Sequence, residues 1–106
     1  MQATPSQMLA ELQNRIGKHN GITAEALARQ LGCTLRQVRK LITGLRMDGV
    51  AICGHPASGY YVAATAEELE TTCGFLHARA MSSLLLSSRM RKIPMADLLG
   101  QLHLPT

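Results

Sequence analysis

Residues 24–49 read AEALARQLGCTLRQVRKLITGLRMDG, and the fold turns on this stretch. Thr23 stands before it as an N-cap, and Glu25 lies in the first turn, where the helix dipole favours an acid. The spacing predicts a short helix over Ala24–Leu31 that presents Leu27, Ala28 and Leu31 inward. Gly32 stops it, because glycine takes a left-handed conformation at little steric cost. Thr34 opens another helix almost at once, and Val38, Leu41, Ile42 and Leu45 fall at i, i+3, i+4 and i+7 on one apolar face. Asp48-Gly49 closes that helix. Two helices joined through so short a glycine turn must cross steeply. Ala28 is small enough to let them approach, and Val38 with Leu41 fills the space between them.

The opposite face of the second helix has a different chemistry. At about 100° per residue, Arg36, Lys40, Thr43 and Met47 lie opposite the apolar stripe. Gln37 and Gly44 flank them on one side, Arg39 and Arg46 on the other, and no outward acid precedes Asp48. The net charge of +4 is concentrated here. Residues 21–50 carry Arg29, Arg36, Arg39, Lys40 and Arg46 against Glu25 and Asp48, whereas residues 65–106 balance four cations with four acids. An anionic partner is therefore expected at this helix.

Upstream, Thr4-Pro5 reads as an N-cap and first helical position, with Met8, Leu9, Leu12 and Ile16 at helical spacing until Gly17 and Asn20-Gly21. Downstream, Val50–Cys53 and Tyr60–Ala63 are β-prone runs around the turn formers Gly54–Gly59, which predicts a hairpin with Tyr60 and Val62 packed inward. Thr65-Ala66-Glu67-Glu68 is a capping-box pattern that opens a long helix to about Lys92. Pro94 interrupts it, and Met95–Leu102 adds a short helix. Phe75, Tyr60 and Tyr61 are the only aromatic residues, so the core is aliphatic and suits packed helices. The expected fold is mainly α with a small β-hairpin (α+β), divided into residues 1–64 and a C-terminal helical segment 65–106.

The stretches Ala28–Gly32, Val38–Ile42, Leu45–Val50 and Ser58–Val62 resemble the winged helix-turn-helix family, most closely the DNA-binding domain of biotin-repressor-like regulators. The resemblance implies a recognition helix at 35–48 in the major groove and a β-wing at 50–63 touching the neighbouring groove or backbone. The biotin-ligase domain of such regulators has no counterpart after Thr65. Thr34, Arg36, Gln37 and Lys40 are the candidates for base edges, Arg addressing guanine and Gln adenine. Arg39 and Arg46 are expected at phosphates, and Thr43 shares the outward face. Many wings of this family carry Arg or Lys, whereas this one offers only His55 and Ser58, so the helix should carry most of the affinity.

Leu69, Cys73, Leu76, Ala80 and Leu84 form a stripe along the long helix, and from Met81 onward Met81, Leu84, Leu85, Leu86, Met90 and Ile93 surround most of its circumference. One small domain cannot cover all these faces, so a homodimer is expected through Leu76, Ala80, Met81, Leu84, Leu85 and Met90. The plainer arrangement folds Pro94–Leu104 back over the stripe. Arg89–Lys92 forms a small basic cluster, which a helix C-terminus attracts anyway.

No nucleophile elbow or phosphate-binding glycine loop occurs, so no catalytic residue and no cofactor is expected. Cys53-x-His55 and Cys73-x₃-His77 match no common structural zinc spacing, and no metal is expected. Three cysteines, no signal-peptide pattern and no run of about 20 apolar residues fit a cytoplasmic protein with no membrane partner. The expected function is sequence-specific binding of double-stranded DNA by a dimeric transcriptional regulator. The alternative is a winged-helix protein-interaction module in a replication or segregation complex.

Overall fold

The computed structural model describes residues 3–101. The order of elements is α1 (Pro5–Leu12), a 3-10 turn (Lys18–Asn20), α2 (Ala24–Leu31), α3 (Leu35–Met47), β1 (Ile52–His55), β2 (Gly59–Val62), α4 (Ala66–Arg91) and α5 (Met95–Gln101). This is the expected mainly α chain with one hairpin and a long C-terminal helix. Two compact units divide it within α4, the first running through Thr72 and the second beginning at Cys73.

Caps start the helices of the first unit. The hydroxyls of Thr4, Thr23 and Thr34 accept the amides of Gln7, Ala26 and Gln37, each satisfying a donor that has no intrahelical partner. At the end of α2, Gly32 adopts φ 65° and ψ 40°, and the Cys33 amide turns back to the Ala28 carbonyl at 3.0 Å. That bond reverses the chain directly into α3. Met8 and Leu12 of α1, Leu27 and Ala28 of α2, and Val38, Ile42 and Leu45 of α3 then bury together with Ile22 and Ile52. Removing a fully buried Leu or Ile side chain from water is worth about 1.5–3 kcal/mol, so this cluster dominates the stability of the unit.

Two boundaries differ from the expectation. Helix α1 ends at Leu12, and Ile16 is exposed and pairs in parallel with Val62. The cause is competition for backbone groups. Val62 donates to the Arg15 carbonyl at 2.7 Å and accepts from Gly17 at 2.8 Å, while Ile22 and Tyr60 exchange bonds of 2.9 and 2.7 Å. Residues 15–22 thus cover the outer edge of β2, leaving no helix for Ile16 to extend. The first strand lies two residues further on than its apolar run, because the antiparallel register pairs Ile52 with Val62 and His55 with Gly59. Gly59 (φ 76°) closes this tight turn, and a Cβ there would collide with the Ile22 carbonyl.

Both faces of the hairpin are covered. Tyr60 and Val62 pack against the main core as expected, while Cys53 and Tyr61 are buried on the other side. There the Cys53 thiol donates to the Glu68 carbonyl at 3.5 Å, and burial pushes the Tyr61 phenol above its ordinary pKa. The Thr65 hydroxyl caps α4 by accepting from the Glu68 amide, and the Glu68 carboxylate reaches beyond the cap to accept the amides of Ala64 at 2.8 Å and Lys18 at 3.0 Å. Those bonds hold its pKa below the ordinary carboxylate range. Arg46 ties α3 to the wing: its Nε–H donates to the Ile52 carbonyl at 2.8 Å, and its guanidinium lies 5.9 Å from the Tyr60 ring centroid.

In the second unit, α4 ends in a Schellman turn with Lys92 at φ 58°, the Ile93 amide returning to Ser88 and the Lys92 amide to Arg89. The Ser88 hydroxyl donates to the Ile93 carbonyl, and Ser88 and Leu98 are buried. Helix α5 follows Pro94; its expected end at Leu102 lies outside the described residues, as does the stretch to Leu104. Phe75, Leu76, Leu85, Leu86 and Met90 are exposed.

A carboxylate whose pKa is lowered by folding stabilises above its unfolded pKa, and that contribution disappears as pH falls through the lowered value. The Glu68→Gln variant should therefore melt below the wild type at neutral pH, and the gap should begin to narrow only as pH falls below about 4; a gap unchanged with pH in thermal denaturation followed by circular dichroism contradicts this role. Replacing Arg46 by Ala should cost about 2 kcal/mol in urea unfolding, since a half-buried charged hydrogen bond and a cation–π contact are lost together. Arg46→Lys should recover only part of it, because an ammonium cannot reproduce the Nε–H geometry.

Candidate nucleic-acid interface

The candidate interface is the side of α3 that its own packing leaves free. Val38, Ile42 and Leu45 are buried at 0%, 1% and 5% exposure, which fixes the rotation of the helix about its axis. Arg36, Lys40, Thr43 and Met47 therefore point away from the core, and all four are exposed. Arg39 is exposed on one flank. Gly44 lies on the other, with open space where a Cβ would project. Beside Gly44 a cleft of about 350 Å³ runs between the start of α1 and α3, floored by Leu41 and Leu45 and edged by Lys40 and Asp48. The exposed strip from Arg36 to Met47 holds two cations, a hydroxyl and a thioether, and no acid.

Thr34 and Gln37 have a task inside the protein. The Thr34 hydroxyl accepts from the Gln37 amide at 3.1 Å, and the Gln37 side-chain oxygen accepts from the Thr34 amide at 2.9 Å. This reciprocal box starts α3. Reading adenine by a paired donor and acceptor requires both the oxygen and the nitrogen of an amide, and here the oxygen is engaged. While the cap is closed, one lone pair of the Gln37 oxygen is taken and its direction fixed, and the side-chain NH₂ is the group left without a partner in the cap.

Arg46 departs further from the phosphate contact expected of it. It is half-buried, with Nε bonded to Ile52 and its guanidinium turned over Tyr60. A helical wheel places it on the flank of the outward face. The hairpin it grips is invisible to that projection, and for this reason sequence reasoning misses the tie.

The wing tip is polar and carries no Lys or Arg. His55 and Ser58 are both half-buried. The Nδ1 atom of His55 accepts the Ala57 amide at 3.0 Å, so the neutral ring carries its hydrogen on Nε2. The Ser58 carbonyl is packed so closely on Gly21 that a Cβ at that position would strike it. The tip is thereby pressed against the segment before α2.

The predicted residues thus separate into three groups in space. Arg36, Lys40 and Thr43 share the outward strip with Arg39 beside them; Thr34 and Gln37 form the helix start; Arg46, His55 and Ser58 belong to the wing and its anchoring. Glu68 was not legible as an anchor, because its two amide partners lie on either side of the hairpin and one is fifty residues distant. Among the described residues, no three His, Cys, Asp or Glu side chains come together that could hold a metal, and no helix is long and apolar enough to cross a membrane.

A family model described as a helix-turn-helix domain matches residues 7–61, from within α1 to Tyr61 of β2. No curated protein and no solved structure matches the chain. The match spans just over half of the chain and includes both crossing helices and most of the hairpin behind them. With a family match of that extent and a two-stranded wing following α3, the chain belongs to the helix-turn-helix family in its winged form.

Proposed function

We propose that the protein is a dimeric regulator of transcription that binds double-stranded DNA with α3 in the major groove. The observation that carries this reading is the outward strip of α3. Arg36 and Lys40 stand exposed one turn apart, Thr43 continues the line, and no acid interrupts it. Arg36 and Lys40 would reach base edges or adjacent phosphates, and Arg39 a flanking phosphate. Thr34 and Gln37 contribute chiefly by starting the helix, with the Gln37 NH₂ left for a single contact. Arg46 acts by holding the wing in place. The wing would offer the His55 Nε2–H and the Ser58 hydroxyl. The likeness of Ala28–Gly32 and Ser58–Val62 to biotin-repressor-like regulators favours a regulatory role.

Dimerisation would use the exposed apolar surface of α4. Leu76, Ala80, Leu85 and Met90 are exposed there with Phe75 and Leu86, while Met81 and Leu84 are half-buried within the chain itself. The first group is therefore the better interface and the second its margin. Two recognition helices acting together multiply a modest single-site affinity. One observation favours a second reading, a winged-helix module that assembles a protein complex: the wing carries no cation while α4 carries exposed Phe, Leu and Met. Such a module has no need of the basic strip on α3.

Arg36→Ala and Lys40→Ala should each weaken DNA binding at least about fivefold in gel-shift titrations, with melting temperature unchanged because both side chains are solvated. Each lost phosphate contact should also reduce the slope of log affinity against log salt by about one. Unaltered affinity in both variants removes α3 from the interface, and no retention on random DNA at low salt supports the module instead. The wild-type chain should sediment as two copies at micromolar concentration and Leu85→Glu as one; a wild type of single-chain mass refutes the dimer.

A further inference from the structure

We infer that Met47 is a specificity-determining residue that reads the 5-methyl group of a thymine, an inference that rests on the DNA-binding reading of α3. Met47 is 82% exposed, the most exposed large hydrophobic side chain among the described residues. It lies four residues beyond Thr43 and eleven beyond Arg36, on the same side of the helix as both. Eleven residues of α-helix advance about 16 Å, more than one base-pair step along an inclined major groove. Arg36 and Met47 are thus spaced to meet different base pairs of one groove.

The chemistry at that end of the strip is distinct. Arg36, Lys40 and Thr43 can each donate hydrogen bonds, whereas a thioether donates none and accepts only weakly. The major-groove edge presents one apolar group, the thymine C5-methyl, and apolar side chains recognise it by contact. An unbranched, polarizable methionine adapts its rotamers to so small a target. A protein partner fits the position less well. Leu35, the other exposed large hydrophobic on α3, stands at the opposite end of the helix and a third of a turn around it, so the two form no continuous patch.

The test uses the full chain. Duplexes enriched from a random pool are resynthesised with deoxyuridine in place of thymine, one position at a time, which changes a methyl group to hydrogen and nothing else. The wild type should lose about fourfold in affinity at one thymine of each half-site, the worth of one buried methyl. Met47→Ala should be indifferent to uracil at that position, and so should Met47→Gln, which keeps the length of the side chain and loses its apolar tip. Both substitutions are at an exposed position and leave the core untouched. No uracil-sensitive position in the wild type, or the same sensitivity in both variants, overturns the inference and leaves DNA binding standing. If no sequence is enriched, the sequence-specific DNA reading falls, and this inference with it.

Discussion

The steep crossing of α2 and α3 is the constraint from which the first unit takes its shape. It depends on a left-handed Gly32 and on Ala28, which lets the two helices close over Val38. A side chain at Gly32 would cost about 1 kcal/mol in backbone strain before any packing was lost. Once Val38, Ile42 and Leu45 are buried, the helical period leaves no choice about Arg36 and Lys40: they emerge on the opposite side. The chemistry offered to a partner is therefore a by-product of core packing. A basic face that owed its exposure to loops would be softer and easier to redirect.

The wing is organised by different means. Its two strands are too short to stand alone, and neighbours complete them. Residues 15–22 satisfy the free edge of β2, Arg46 takes the Ile52 carbonyl, and the Glu68 carbonyl in the first turn of α4 takes the Cys53 thiol. A cation that many winged helices would display at the hairpin tip is absent here, and Arg46 is spent on internal support. The labour is divided: α3 presents charge, and the hairpin presents a fixed shape without Lys or Arg beside it.

Much of this was legible in the sequence wherever the cause is local. Caps at Thr4, Thr23 and Thr34, the stop at Gly32 and the apolar phase of Val38–Leu45 depend on residues within a turn or two of one another. The orientation of Arg36 and Lys40 follows from that phase alone. What escaped was non-local. Ile16 continues the apolar spacing of α1, yet its neighbours Arg15 and Gly17 bond Val62, a residue more than forty positions away. Gln37 reads equally well as a base contact or as half of a capping box, and only the closed geometry with Thr34 separates the two. Arg46 and Glu68 look like ordinary surface charges until the segments they grip are brought beside them.

The Glu68 carboxylate carries a consequence for how the molecule breathes. One oxygen holds the amide leaving β2 and the other holds the first residue of the 3-10 turn, while the same residue's carbonyl receives the Cys53 thiol. Chain segments far apart in sequence are thus fastened at one rivet. Partial fraying of any one of them strips a ligand from the shared anion and weakens its hold on the others, so the wing base, the 3-10 turn and the start of α4 open as a cooperative block.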